Sequence, residues 1–290
     1  MILDVPATRS SFFDSVFLIE GLAPHERPTG RELFDGTLVP LAEQFEHFTI
    51  EYRQAKSSTE LSALVQDELL PHAQAGHAPI LHIESHGTEE GLVLPQDFVS
   101  WDDVRGLLTE VNRACQMNLV VVVAACHGGK LVSRLLPTHR AFAWAVIGPF
   151  AQDIPSSILR RTQNLYRTLL SAFDWHAVGR ALNAPDPEGF GLYEVVPAER
   201  MFRMVVRRYI KDACTPQALA ERENRIVAEV VRRQGLDLAG SAEVRLAIHA
   251  RLADRVSEVE QMIRHFFMLD LFPHLRERFS VTPADVIPAA

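Results

Sequence analysis

Residues 78–87, Ala-Pro-Ile-Leu-His-Ile-Glu-Ser-His-Gly, and residues 118–129, Asn-Leu-Val-Val-Val-Val-Ala-Ala-Cys-His-Gly-Gly, decide the fold of this 290-residue chain. Each begins with a short apolar run, which is typical of a strand buried on both faces of a parallel sheet. Each run leads directly into a reactive side chain, His86 in the first and Cys126 in the second. Because ligands bind at the carboxyl ends of strands in open α/β sheets, the same stretches indicate where a site would lie.

Comparable runs occur on both sides of these two stretches. Residues 15–22, 47–52 and 141–147 also predict strands, and amphipathic helices are predicted between consecutive strands. Strands that alternate with helices at this interval imply right-handed crossovers and a mainly parallel central sheet. The sequence therefore predicts an α/β fold with helices packed on the sheet.

The pattern changes near residue 197. Beyond it no strand is predicted, and the sequence indicates charged amphipathic helices, including one long helix over residues 241–271. We therefore predict one domain over residues 1–196 and a C-terminal helical extension over residues 197–290.

The bulk composition excludes several classes of protein. With 47% hydrophobic and 23% charged residues the chain is neither disordered nor fibrous. A net charge of −8 argues against a protein that coats nucleic acid, so we expect nucleic acid as an indirect partner at most. The longest apolar run, residues 119–126, is far shorter than the roughly 20 residues that cross a bilayer. The N-terminal residues do not resemble a signal peptide, so we expect a cytoplasmic protein without a membrane partner.

The pairing of His86 with Cys126 favours nucleophilic catalysis. A thiolate is the reactive form of cysteine, and a nearby imidazole can generate it and then protonate a departing amine. The main alternative is a zinc site formed with His82 and His127. Adjacent residues rarely point at one ion, and no C-x-x-C or H-E-x-x-H pattern is present, so we expect no metal and no cofactor. We expect His82 to be a hydrogen-bonded structural residue.

A strand that ends in His-Gly, followed one crossover later by a strand that ends in Ala-Cys, resembles the caspase-like (clan CD) cysteine peptidase superfamily, which includes CHAT domains and separases. Residues 91–94 and 100–104 resemble the hairpin and helix start that CHAT domains place after His-Gly. Residues 146–150 with Asp153 resemble the next strand and helix of that family. The resemblance covers about residues 15–185 and implies a caspase-like three-layer α/β/α fold.

The resemblance also implies a role for each site residue. Cys126 would be the nucleophile and His86 the general acid and base, and the backbone amides of Gly87 and Cys126 would form an oxyanion hole. Ala124 stands where caspases have a glutamine that helps to bind aspartate, so aspartate specificity is not expected.

Two acids are candidates for the substrate-specificity pocket. Glu20 and Asp153 follow or end the first and fifth predicted strands, and an acid there would favour a lysine or arginine before the scissile bond. The alternative for Asp153 is a cap on the following helix.

By resemblance, the protein is expected to be a cysteine endopeptidase that cleaves a protein partner. Prokaryotic members with CHAT-like domains often act as effectors released by a partner or signal, which implies a regulatory protein partner and a role in immunity. Two alternatives stay open, a catalytically inactive binding module and a thiol acyltransferase. The intact set of His86, Gly87 and Cys126 counts against the binding module, because a scaffold needs none of them.

Overall fold

The structure is a computed structural model that describes four segments of the chain, residues 13–172, 174–185, 192–235 and 238–287. The chain divides into two compact units. The first comprises residues 1–135 and 141–198, and the second comprises residues 136–140 and 199–290. The division after residue 198 lies close to the predicted boundary, and the short segment 136–140 belongs with the second unit.

The first unit is built on one mainly parallel sheet. The strands within its described residues are β1 Ser15–Gly21, β2 Thr49–Gln54, β3 Pro79–Gly87, β4 Gly91–Val93, β5 Phe98–Ser100, β6 Val120–Ala124, β7 Ala145–Pro149 and β8 Tyr193–Pro197. Their order is β2-β1-β3-β6-β7-β8, in which β8 is antiparallel to β7 and the other neighbours are parallel. The hairpin of β4 and β5 is attached to the end of β3. The predicted α/β class with a mainly parallel sheet is confirmed.

The central strands are apolar because both of their faces are covered. Every residue of β1 and β6 is buried, whereas β2 at the edge of the sheet is exposed or half-buried along its whole length. Leu18 of β1 pairs with His82 of β3, which in turn pairs with Val122 of β6. This register brings the carboxyl ends of the three strands to one edge of the sheet.

Helices cover both faces of this sheet. Those of the first unit are α1 Thr29–Leu33, α2 Val39–Ala42, α3 Ser58–Ala63, α4 Leu70–Gln74, α5 Trp101–Ala114, α6 Pro155–Ala172 and α7 Trp175–Leu182. One group is formed by α4 and α5, and another is formed by α1, α6 and α7. Ser100 begins α5 by accepting a hydrogen bond from the Asp103 amide, at the place where the sequence predicts a helix start. The result is a three-layer α/β/α arrangement.

Two prolines change the winding of the helices that contain them. The segment Phe34–Leu38 before Pro40 and the segment Leu64–Leu69 before Pro71 are π-helical. Proline lacks an amide hydrogen and its ring clashes with the preceding turn, so a wider turn relieves the clash without ending the helix. At Pro40 the helix is therefore locally widened and continues through the proline.

The sequence analysis missed β8, which extends the sheet beyond β7. Its residues, Tyr-Glu-Val-Val-Pro, form a short run with a charge at the second position and a proline at the end, so no strand pattern stands out. Pairing with β7 buries four of the five residues. A partner distant in sequence therefore makes this segment a strand.

The second unit is helical, as predicted. Its helices are α8 Ala198–Ala213, which starts at the boundary, α9 Pro216–Gln234, α10 Leu238–Ala253 and α11 Arg255–Phe266. Its core contains a cluster of fully buried aromatic rings with centroids 4.7–5.4 Å apart, formed by Phe202, Phe266, Phe267 and Phe279.

The prediction of a single long helix over residues 241–271 is wrong. Asp254 interrupts it by accepting a hydrogen bond from the Ser257 amide, which starts α11 as a separate helix. Among the described residues of the whole chain, no helix has both the length and the apolar character that crossing a membrane requires.

Candidate active site

A crevice at the carboxyl edge of the sheet is expected between β1 and β3. The chain leaves β1 to form β2 on one side and then returns to form β3 on the other side. The connections after β1 and β3 therefore diverge, and such a switch point is where open α/β sheets bind ligands. The loop after β1 carries Glu26, and β3 ends in His86 and Gly87.

His86 and Cys126 lie at the same height along the strand direction, at the ends of β3 and β6. Glu84 pairs in register with Ala124, and each reactive residue follows two positions later on strands that lie about 4.8 Å apart. Gly87 packs directly against the Cys126 peptide. A Cβ atom on Gly87 would overlap the carbonyl oxygen of Cys126 and lie 3.1 Å from its carbonyl carbon. The predicted site residues His86, Gly87 and Cys126 are thus neighbours in the structure.

Glu26 is a site residue that the sequence analysis missed. Its Oε1 lies 2.6 Å from Nε2 of His86, and its Oε2 accepts a hydrogen bond from the Ala23 amide at 2.7 Å. The Ala23 amide and the His86 ring together hold the pKa of the Glu26 carboxyl below its usual range. Because Glu26 is charged at neutral pH, Nε2 of His86 is the donor in this contact, so in a neutral ring the lone pair lies on Nδ1.

The thiol of Cys126 contacts the backbone of the loop after β7. Its Sγ lies 3.3 Å from the carbonyl oxygen of Asp153 and 3.5 Å from the Asp153 amide nitrogen. In the described part of the chain, these are the hydrogen bonds of Sγ, and none joins it to His86. Catalytic hydrogen bonds are often long without substrate and shorten when substrate binds. The amide is placed to stabilise a thiolate, and the carbonyl accepts the proton of the thiol.

The turn that follows Cys126 is made at His127, which has a positive backbone angle, φ 60°. The glycines are required for space: a Cβ on Gly128 would overlap Val123, and one on Gly129 would overlap the Phe150 ring. Nδ1 of His127 is buried and has no hydrogen-bond partner in the described residues.

Glu20, the first acid predicted for the specificity pocket, lies inside the fold. It is 2% exposed and accepts hydrogen bonds from the amides of Gly30 and Arg31 and from the Tyr52 hydroxyl, at 2.7, 3.1 and 2.6 Å. A carboxylate at the amino end of α1 is favoured by the unpaired amides there. The Glu20 carboxylate therefore connects the start of α1 to the sheet.

The carboxylate of Asp153, the second predicted acid, is also enclosed. Its side chain is fully buried, accepts hydrogen bonds from the Ile154 amide at 2.9 Å and the Ser157 hydroxyl at 3.0 Å, and lies 3.6 Å from Nε of Arg161. These contacts lie at the start of α6. They agree better with the alternative that Asp153 caps this helix than with an open specificity pocket.

His82 has the structural role predicted for it. It is fully buried, with Nδ1 2.9 Å from the Tyr166 hydroxyl and Nε2 3.0 Å from Oε2 of Glu84. The other oxygen of Glu84 accepts a hydrogen bond from the Thr29 hydroxyl at 2.5 Å. Every polar atom of the ring is thus satisfied within β3 and its neighbours.

The side chains of the site, a carboxylate, an imidazole and a thiol, are of the kinds used in acid–base and nucleophilic chemistry. Within the described ranges, the one cluster of possible metal ligands is Asp14, His72 and His77, at the opposite edge of the sheet. The chain has two other thiols, in Cys115 and Cys214. Cys115 is buried, and burial raises the pKa of the Cys214 thiol.

No protein-family model matches this chain, and a search of curated proteins finds no match.

Proposed function

We propose that the protein is a caspase-like cysteine endopeptidase that cleaves a protein substrate with Cys126 and His86. The observation that supports this most strongly is the contact between the ends of β3 and β6, where Gly87 packs on the Cys126 peptide. A histidine, a glycine and a cysteine converge there at the edge where parallel sheets bind ligands.

The reaction begins when Nδ1 of His86 takes the proton of the Cys126 thiol. The sulfur then attacks the carbonyl carbon of the scissile bond, and the electron pair moves to the carbonyl oxygen. The amides of Gly87 and Cys126 donate hydrogen bonds to that oxyanion. As the carbonyl re-forms, the C–N bond breaks and His86 gives its proton to the departing amine. Water then hydrolyses the thioester with His86 as the base, which restores the thiol.

Glu26 acts in this scheme through His86. Its carboxylate, 2.6 Å from Nε2, fixes the tautomer and orientation of the ring and stabilises the imidazolium that forms when Nδ1 accepts the proton. The Asp153 amide, 3.5 Å from the sulfur, stabilises the thiolate. Both of these contacts are present without substrate, and in this proposal the contact between His86 and Cys126 forms when substrate binds.

An exposed apolar stripe beside His86 supports a peptide substrate. Val93 is the cross-strand partner of His86, and Phe98 is the partner of Val93, so the three side chains share one face of the sheet. Val93 is 38% exposed and Phe98 is 46% exposed. The stripe favours an apolar side chain close to the scissile bond, and Glu20 and Asp153 have no role in specificity in this proposal.

The wider role follows the resemblance to prokaryotic CHAT-like effectors. In this proposal the protein acts in the cytoplasm, a second protein or a signal controls it, and cleavage of a protein partner serves immunity. The open stripe and the exposed His86 ring give a protein substrate access to the site.

The test is covalent labelling with limiting amounts of peptidyl electrophiles that carry leucine, lysine, arginine or aspartate at the reactive position. Intact-mass analysis and peptide mapping should show labelling at Cys126 ahead of Cys115 and Cys214, fastest with leucine and lost in His86→Ala. Equal labelling of the three thiols would contradict an active nucleophile and favour the binding module. Transfer of an acyl group to an added amine in preference to water would favour the acyltransferase.

A further inference from the structure

Three side chains of the metal-binding type converge at the amino edge of the sheet, away from the proposed active site. Asp14 immediately precedes β1, His72 lies in α4, and His77 lies in the turn before β3. One ligand atom from each side chain lies within 4.8 Å of the other two. The cluster therefore joins three segments that are distant from one another in sequence.

The two imidazole rings are held face to face. Their centroids are 4.1 Å apart and their planes differ by 4°. Nδ1 of His77 lies 2.9 Å from Oδ2 of Asp14, and Nε2 of His72 lies 3.0 Å from Oγ of Ser15.

The surroundings hold the carboxylate and favour a cation. Oδ1 of Asp14 accepts hydrogen bonds from the Ala78 amide and the Ser15 hydroxyl, both at 3.1 Å, which leaves Oδ2 facing the rings. Neutral imidazole is the form that binds metal, and second hydrogen bonds of this kind orient metal ligands.

We propose that Asp14, His72 and His77 bind a divalent transition-metal ion of the zinc type. Two imidazoles and one carboxylate, with a water molecule in the fourth position, are a ligand set that zinc accepts. Tetrahedral coordination at about 2.0–2.1 Å places ligand atoms roughly 3.4 Å apart. Because imidazole lone pairs lie in the ring plane, the two stacked rings must tilt out of parallel for both to bind one ion.

The ion would act as a clip. It would join the start of β1 to α4 and to the turn before β3, and so tie together two neighbouring strands of the central sheet. It lies at the opposite end of these strands from His86, and therefore takes no part in the proposed peptidase chemistry. The inference stands whether or not the protein is a peptidase.

The test is zinc binding by the untagged full-length chain in a Cys126→Ala background, which removes binding to the reactive thiol. Titration against a chromophoric chelator should give one equivalent of Zn²⁺ with a Kd of about 1 µM or lower. His72→Gln, His77→Gln and Asp14→Asn should each weaken binding at least 10-fold. Asp14→Asn keeps a carbonyl acceptor for the Ala78 amide, so it separates ligation from folding. His274→Gln, an exposed histidine of the second unit, is the matched control and should bind as the parent does.

A second readout is thermal unfolding. Zinc at about 100 times its Kd should raise Tm by roughly 5 °C or more in the parent and in His274→Gln, and by much less in the three site variants. Binding weaker than about 100 µM would overturn the proposal. Equal affinity in the parent and all three site variants would also overturn it, since the ion would then bind elsewhere.

Discussion

Replacing Gly87 by alanine tests whether the contact between strand ends is needed for catalysis. The added Cβ would overlap the Cys126 carbonyl oxygen and lie 3.1 Å from the Ala125 Cβ. Real side-chain carbons approach such atoms no closer than about 3.0 Å, so β3 and the Cys126 loop would have to separate by about 1 Å. The obstructing oxygen belongs to the backbone, so no side-chain rotation relieves the overlap.

The expected magnitudes follow from that displacement. Overpacking of this kind lowers the free energy of unfolding by about 1–3 kcal/mol, which leaves the protein folded. A shift of about 1 Å in a catalytic group lowers the rate by about 100-fold. We therefore expect Gly87→Ala to slow labelling of Cys126 about 100-fold while the far-UV circular dichroism spectrum is unchanged.

The assay is the rate of Cys126 labelling by the leucine electrophile, measured by quenched mass spectrometry. Gly106→Ala is the matched control: Gly106 lies exposed in α5, and its added Cβ would meet no atom within 4 Å. This control should gain about 1 kcal/mol of stability from helix propensity and label at the parent rate. Labelling of Gly87→Ala at the parent rate would refute the idea that the close approach supports the nucleophile.

Three further changes test separate parts of the molecule. Glu26→Gln keeps the shape of the side chain but removes its charge, so labelling of Cys126 should slow about 10-fold. The slowing should be equal at pH 6 and pH 8, because the lowered pKa of Glu26 keeps it ionised at both. Phe98→Ser should slow labelling by the leucine electrophile about 10-fold more than labelling by iodoacetamide, and equal slowing would contradict a substrate contact. Burial disfavours the charged form of Glu258, but hydrogen bonds from Tyr209 and two arginines outweigh it and lower its pKa. Its carboxylate thus adds stability above pH 4.5 that is lost as pH falls through the lowered value, so Glu258→Gln should cost about 1–3 kcal/mol in urea unfolding at pH 7 and much less at pH 3.

The fold could be predicted where local pattern and burial agree. The runs that form β1, β3 and β6 are apolar because both faces are covered, and periodicity reveals that directly. Periodicity does not reveal β8, which is a strand because it pairs with the open edge of β7. It also does not reveal the interruption at Asp254, whose side chain accepts a hydrogen bond from an amide that the helix would otherwise use. Both depend on contacts that the pattern of hydrophobic residues does not contain.

The candidate site could be predicted to the extent that strand ends locate it. His86 and Cys126 follow apolar runs, so their place at one edge was expected from the sequence. Glu26 was missed because its position depends on the path of a loop, although its place after β1 at the switch point was an available signal. From the sequence alone, Glu20 and Asp153 could not be distinguished from carboxylates that accept hydrogen bonds from helix amides. Acids of both kinds follow strands in the sequence.

The order of the strands in the sheet determines the order in which the groups of the candidate site lie across it. Across the sheet the strands run β1, β3, β6, β7, and the groups that follow them run carboxylate, imidazole, thiol and backbone amide, from Glu26, His86, Cys126 and Asp153. Neighbouring parallel strands are about 4.8 Å apart, which is a distance that hydrogen-bonded side chains can span. Contacts of 2.6 Å between the first two groups and 3.5 Å between the last two already follow this order. The remaining step, from imidazole to thiol, crosses the strand boundary where Gly87 lies directly on the Cys126 peptide, and in the proposed reaction the two side chains meet there.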